Sequence, residues 1–316
     1  MTSNHGPCCV PAGSGSPAQA APAGTERRAP SYRGQVRVPG GTFRLGDAFD
    51  EGYAADGERP VHDVLLDDFH VDATTVTNAA FASFVKATGH VTTAESEGTS
   101  AVFHLAYDGD GADVLGRAAG APWWLEVRGA CWRHPEGAGS DVAGRQNHPV
   151  VHVSHDDALA YCAWAGKRLP SEAEWEAAAR GGLVGARYPW GDELLPRGRW
   201  MCNIFQGDFP TANSAEDGWT TTAPVKRFAP NGYGLHQMAG NVWEWCADWF
   251  AADYYADAPG TNPAGPGSGG ARVMRGGSFL CHDSYCNRYR VAARSSAPPD
   301  STAANLGFRC ANGASG

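Results

Sequence analysis

The chain of 316 residues lacks any apolar run near the ~20 residues that cross a bilayer. Its opening, M-T-S-N-H-G-P-C-C-V-P, has neither the basic start nor the apolar stretch of a secretory leader, so a cytoplasmic protein is expected. Basic runs are missing too. With 25 basic against 34 acidic residues the net charge is −9, which excludes a general nucleic-acid binder. None of the nine cysteines forms C-x-x-C, so no zinc ribbon or finger is expected. A wholly disulfide-stapled fold is not expected in a reducing compartment. Phosphate loops, dinucleotide fingerprints and hydrolase nucleophile elbows are absent as well. There is no internal repeat, and no linker interrupts residues 33–312.

Turn formers and large aromatics are abundant: 41 glycines, 21 prolines and 11 tryptophans. Together they imply one irregular α+β domain of low secondary-structure content, with loops packed on aromatic rings. Residues 1–32, rich in Ala, Gly, Pro and Ser, read as a disordered tail, and Cys8 and Cys9 as incidental to the fold. V-R-V-P-G-G-T-F-R-L-G predicts a hairpin about Pro39-Gly40-Gly41, and residues 64–71 a further strand. Helices are expected over 77–88, after Ser154 with Asp157, and after Ser171 with Glu174, each stopped by glycine. The acids of the last helix read mostly as a solvated face and as partners of the helix dipole at its N-terminus. Residues 90–150 show little periodicity and are expected to form a long ordered loop region. Short strands are expected over 273–278, 289–294 and 307–310.

The most informative stretch is Met274–Arg294, which holds Cys281 and Cys286 five apart. A regular helix or strand would turn these side chains away from each other, so their meeting requires an irregular turn, which Gly276 and Gly277 suit. Converging thiols mean a disulfide, a two-thiolate metal site or a nucleophile with its resolving partner. Two soft ligands without a nearby third and fourth suit Cu(I) better than zinc. His282 is either a ligand or an oriented hydrogen-bonding group. Ser278 and Tyr285 either orient oxygen or substrate or satisfy turn backbone. Asn203, Asp217, Asn241 and Glu244 offer calcium-type oxygens, although on spacing alone turn capping is the favoured reading.

G-K-R-L-P-S-E-A-E-W-E, Y-P-W-G, P-N-G-Y-G-L, M-A-G-N-V-W-E-W, R-G-G-S-F and N-L-G-F-R-C occur in that order. This series resembles the sulfatase-modifying-factor domain. C-H-D-S-Y-C-N-R-Y-R, H-P-E-G and A-P-W-W-L narrow the resemblance to its formylglycine-generating branch, over residues 33–312. The resemblance implies a duplicated C-type-lectin-like scaffold and a copper-dependent oxidase. Such an enzyme converts the cysteine of a C-x-P-x-R segment in an unfolded sulfatase to Cα-formylglycine, using O2 and a thiol reductant. Cys281 and Cys286 match the Cu(I) ligands, while Ser278, His282, Tyr285, Trp243 and Asn305 match residues lining the oxygen and substrate pocket.

The resemblance also implies structural Ca2+ at Asn203, Ile204, Asp217 and Trp219, with Ile204 and Trp219 acting through carbonyls. A second Ca2+ would fall on Gln237, Gly240, Val242 and Glu244, where Gln237 replaces the usual Asn or Asp. Cys162 and Cys310 match one family disulfide. Ala179 and Val291 stand where a second would be. A monomer acting on a polypeptide, without nucleic acid or membrane, is expected. Three other readings stand beside this one: a purely structural disulfide protein, a silent lectin-like binding module, and an iron-dependent sulfoxide synthase. The last would need a histidine-triad partner domain for which the chain leaves no room.

Overall fold

The structure, a computed structural model, describes residue 11 and residues 28–313. Cys8, Cys9 and most of the expected tail lie outside the described residues. Ordered contacts are already present just before the expected boundary at 33: Ser31 N donates to the Gly166 carbonyl at 3.1 Å, and Tyr32 packs its ring edge-on to His70.

Strands β1 (Gln35–Val38) and β2 (Gly41–Leu45) form on either side of Pro39-Gly40, but they do not make the expected hairpin. Strand β2 pairs with β3 (His62–Leu66), and β1 pairs with β4 (Phe69–Asp72). The strand expected over 64–71 is thus two strands, broken at Asp67-Asp68. The cause lies at Gly40. A side chain there would come within 2.8 Å of the Leu66 oxygen and Asp68 nitrogen, and Gly40 N–H donates to Asp68 Oδ1 at 2.6 Å. Both ribbons cross from one sheet to the next at this contact, which only glycine permits.

Helix α1 (Asn78–Thr88) begins where expected, with Thr77 accepting from Ala80 N, and ends at Gly89 with φ 69°. The region 90–150 is not a loop. It holds α2 (Thr93–Glu97), with an unpredicted Thr92/Glu95 capping box, and a sheet of β5 (Thr99–Phe103), β6 (Val114–Ala118) and β7 (Ala121–Arg128) in the order β5-β7-β6. A-P-W-W-L-E-V opens β7. Its two faces enter different clusters, Trp124 the main core and Leu125 with Val127 a smaller one, which erases the alternation that marks a half-buried strand.

Capping boxes at Ser154/Asp157 and Ser171/Glu174 start α3 (His155–Ala165) and α4 (Glu172–Arg180) as expected. Glu172 and Glu174 do lie in the first turn, Glu174 as the capping partner of Ser171, but the expected solvated face is not there. Glu172 and Glu176 are 3 % and 0 % exposed and pair with the buried Arg275, Arg294 and Arg180. Two of those arginines, Arg275 and Arg294, arrive from the far end of the sequence, so nothing local announced them.

A short hairpin of β8 (Gly207–Asp208) and β9 (Ala212–Asn213) precedes the sheet that carries the site. Its central strand is β10 (Trp243–Trp249), followed after a one-turn helix α5 (Tyr254–Asp257) by β11 (Arg272–Arg275), β12 (Arg294–Ala297) and β13 (Leu306–Gly307), in the order β12-β11-β10-β13. The strands expected near 273–310 are shifted and shortened, because the chain leaves β11 at Gly276 and spends 277–293 in turns. The last strand, β14 (Ala311–Gly313), joins β4, so both ends of the domain close one sheet. Irregular α+β architecture is thus observed. Among the described residues no helix is long and apolar enough to cross a membrane.

Candidate active site

Leaving β11, Gly276 and Gly277 take φ of 93° and 72°, and a side chain on Gly277 would lie 2.8 Å from the Arg288 carbonyl oxygen. This close approach folds the cysteine segment back on itself. Cys281 N donates to the Ser278 carbonyl at 3.0 Å, and Cys286 N to the His282 carbonyl at 2.6 Å. The irregular turn required by the spacing therefore forms. It sets Cys281 Sγ 3.2 Å from Cys286 Sγ, both side chains almost fully buried. That separation exceeds the about 2.05 Å of a disulfide, and both are free thiols. Burial, followed by the neighbouring Cys286, pushes the Cys281 thiol well above its ordinary range.

A cavity of about 10 Å3 opens beside Cys281, lined by Ser278, Trp243, Tyr285 and Asn305 together with Trp123 and Trp124. Such a space holds about one water-sized molecule. Ser278 Oγ accepts from Asn305 Nδ2 at 2.9 Å and from Leu280 N at 3.3 Å, which leaves its own hydroxyl proton to donate. Trp243 Nε1 and Trp124 Nε1 are buried and have no hydrogen-bond partner among the described residues. Tyr285 stacks on Phe209 at 4.5 Å and meets Trp123 edge-on at 4.8 Å. His282 does not line this cavity. Its Nδ1 engages Ser284 Oγ at 2.8 Å and Asp283 at 3.2 Å.

Residues 53–58 pin the turn from the opposite end of the chain. Asp56 holds the Arg288 guanidinium at 2.5 and 3.0 Å, and Glu58 holds Arg290 at 2.8 Å through both oxygens. These partners, with Trp123, Trp124 and Phe209, were not assigned from sequence. A-P-W-W-L was visible as a motif, but only the fold shows that β7 delivers it to the cysteines.

Among the described residues, no group of three or more His, Cys, Asp or Glu is placed to hold a metal. Two buried sulfurs without harder ligands fit a soft monovalent ion such as Cu(I) and do not meet zinc's demand for four donors.

The first calcium set is brought together. Asp217 accepts from Ile204 N at 3.1 Å and from Trp219 N at 2.9 Å, and Asn203 Oδ1 is buried without a partner among the described residues. Gln206 Nε2 bridges the Ile204 carbonyl and Asp217 Oδ2, where a cation would serve the same oxygens. Burial raises the Asp217 carboxyl above its ordinary range, as an unneutralised buried acid requires. These oxygens fit Ca2+. The second set fits less well. Gln237 Oε1 is buried without a partner among the described residues, but Glu244 already accepts from Arg309 at 2.6 and 2.7 Å and from Trp175 Nε1 at 2.7 Å, so most of its acceptor capacity is spent. We assign no ion there.

Cys162 Sγ lies 3.6 Å from Cys310 Sγ, both buried and not bonded to each other in this structure, while Ala179 and Val291 share one apolar cluster.

Comparison with known proteins places this geometry. The family model described as sulfatase-modifying factor enzyme 1-like domain matches residues 19–314. The chain is 69 % identical to the formylglycine-generating enzyme of Streptomyces coelicolor, over 95 % of each chain. It is 60 % identical to that of Thermomonospora curvata, over 90 % of this chain and 96 % of the other. Among solved structures, PvdO from Pseudomonas aeruginosa superposes with a TM-score of 0.61 at 26 % identity, over 89 % of this chain and 94 % of the other. The chain belongs to the sulfatase-modifying factor enzyme 1-like family.

Proposed function

We propose that this protein converts the cysteine of a C-x-P-x-R segment in an unfolded sulfatase polypeptide to Cα-formylglycine, with Cu(I) held by Cys281 and Cys286. The relatives named formylglycine-generating enzyme support cysteine oxidation that activates sulfatases. The observation that carries the finer reading is the pair of buried sulfurs 3.2 Å apart beside a small, donor-lined cavity. Per turnover, the substrate thiol R–CH2–SH, dioxygen, and two electrons with two protons from a thiol reductant become the aldehyde R–CHO, hydrogen sulfide and water. A soft monovalent ion bound by the two sulfurs would supply one-electron chemistry and a position for the substrate sulfur.

The chain's own residues do the rest. The hydroxyl proton of Ser278 and the indole N–H groups of Trp243 and Trp124 are donors without competing acceptors among the described residues, fixed around a small cavity. There they orient an oxygen-bearing reactant at no reorganisation cost. Asn305 holds Ser278 in place, and Tyr285 with Trp123 shapes the apolar mouth. A Ca2+ on Asn203, Asp217 and the Ile204 and Trp219 carbonyls would fix the loop that delivers Phe205, whose N–H donates to the Cys281 carbonyl at 3.1 Å. A silent binding module would have no use for the sulfur pair.

The test is mass spectrometry of a C-x-P-x-R peptide incubated with reduced, Cu(I)-loaded protein, a thiol and air. Conversion lowers the peptide mass by about 18 Da as thiol becomes aldehyde, an oxidation outside the ordinary sulfenic-to-sulfonic series. An unchanged peptide with one ion bound per chain would sink the proposal.

A further inference from the structure

His152 is fully buried, at 0 % exposure, and takes φ of 58°, a left-handed backbone that a residue with a side chain adopts only where its surroundings hold it there. Its N–H donates to the Ala303 carbonyl at 3.0 Å. Both ring nitrogens are engaged as well. Nε2 lies 2.9 Å from the carbonyl oxygen of Pro135, in the H-P-E-G motif, and Nδ1 lies 2.7 Å from Ser100 Oγ. Ser100 Oγ in turn lies 2.7 Å from Thr302 Oγ1. The Arg145 guanidinium, forked onto Glu136 at 2.5 and 2.8 Å, holds the loop of the motif in place. None of these groups takes part in the sulfur chemistry.

The protons of this chain are placed by elimination. A carbonyl oxygen only accepts, so Nε2 carries the hydrogen that meets Pro135. Burial pushes the imidazole down to about 4, so at neutral pH Nδ1 is bare and accepts from Ser100. The Ser100 hydroxyl has one proton, and that contact uses it. The contact with Thr302 must then be donated by Thr302, whose single proton is used in its turn. Thr99 ends the same way, because its hydroxyl donates to Glu126 Oε1 at 3.2 Å. Three hydroxyls that could each have given or taken a hydrogen bond are left able only to take one.

Thr99, Ser100 and Thr302 line one groove of about 350 Å3, whose charged lining among the described residues is the carboxylates of Glu97 and Glu126 and the guanidinium of Arg117. Arg117 spends one N–H on the Pro122 carbonyl at 2.7 Å. Trp124 borders this groove and also the cavity beside Cys281. In a C-x-P-x-R segment the arginine Cα lies within about 14 Å of the cysteine Cα, even fully extended. A segment whose cysteine enters the cavity can therefore lay its arginine along the groove. On the function proposed above, we infer that His152 is a positioning residue: it fixes Ser100 and Thr302 as acceptors, and with Thr99 and Glu126 they form a wall that selects the guanidinium, a group with donors and no acceptor. A neutral side chain of the same shape that brings a carbonyl to this wall meets only lone pairs and is refused.

The experiment measures Kd by fluorescence anisotropy on the full chain for two peptides, both with serine in place of the reactive cysteine. One carries arginine at the last position of the segment, the other citrulline, whose urea carbonyl replaces one donor group of the guanidinium. Wild type should favour the arginine peptide by about tenfold or more, the scale of one hydrogen bond to a charged group. Ser100→Ala releases the Thr302 proton and should tighten binding of the citrulline peptide severalfold, so that the preference falls. Thr302→Val should weaken binding of the arginine peptide selectively. His152→Gln, whose amide still donates to Pro135 and accepts from Ser100, should keep the preference, and His152→Met should lose it. If His152→Met does not fold, the Ser100 and Thr302 variants decide alone. An equal preference in wild type, Ser100→Ala and Thr302→Val, or two Kd values that shift together, would overturn the inference while leaving the functional reading intact. Failure of the Cu(I)-loaded wild type to convert the cysteine peptide would overturn the functional reading, and the order of the Kd values would still decide whether His152 sets the polarity of the groove.

Discussion

Arg288 Nη1 lies 3.6 Å from Cys286 Sγ, while the same guanidinium is forked onto Asp56 and set over the Tyr53 ring at 4.4 Å. One sulfur of the pair thus has a fixed cation at its side; the other accepts from the Ser278 N–H at 3.4 Å. Arg288→Met should destabilise the fold by about 3–5 kcal/mol, because it strands a buried carboxylate, and should weaken Cu(I) retention against a competing chelator. Asp56→Leu combined with Arg288→Met should recover most of the stability but not the retention. Wild-type retention in the double variant would show that Arg288 acts only through the fold.

The seven described cysteines should separate into classes. Cys281→Ser and Cys286→Ser should each abolish Cu(I) binding and aldehyde formation, since a hydroxyl is a poor ligand for a soft ion. Cys162→Ser should spare both. In oxidised protein it should cost about 2–5 kcal/mol, by removing a bridge to Cys310, and far less in reduced protein. Thermal unfolding with and without a reductant reads the difference. Turnover by either Cys281→Ser or Cys286→Ser would refute the copper site.

Calcium should raise the melting temperature of the wild type and not that of Asp217→Ala. The variant should still bind Cu(I) stoichiometrically, because Asp217 touches neither sulfur. A melting temperature indifferent to calcium and to chelator would count against the ion.

Acid stability should depend on Glu176. Burial alone would raise its carboxyl, but Arg180, Arg275 and the Gly46 N–H outweigh burial and hold it at about 2. The unfolded value is about 4.3, so the native state binds fewer protons between these limits. The stability this group contributes is complete above about pH 4.3 and is lost as the pH falls towards 2. Glu176→Gln should lower the melting temperature at pH 7 and flatten its fall below about pH 4.3. Asp248 acts in the opposite sense. Burial and then Glu172 raise it to about 8, so its effect is a loss of stability as pH climbs from the ordinary carboxylate range towards 8.

What could be read in advance followed the range of the forces involved. Caps act within four residues, and Ser154 and Ser171 announced their helices correctly, while α1 was legible from its apolar spacing and the stop at Gly89. The cysteine turn was also legible, because its spacing excludes regular structure. Pairing was not. The strands beside Pro39-Gly40 were placed correctly and partnered wrongly, since the choice is made by the touch of Gly40 on residues 66–68. The buried acids of α4 were misread for the same reason: Arg275 and Arg294, whose charges permit their burial, are 103 and 122 residues from Glu172 in sequence.

The ties between residues 56–58 and 288–290 also constrain the order of events during synthesis. Asp56 and Glu58 leave the ribosome 232 residues ahead of their partners Arg288 and Arg290. Until residues 288–305 emerge, two acids destined for the interior remain hydrated and the sulfur pair has no frame. A nascent protein that has not yet made these residues therefore cannot hold the proposed metal centre.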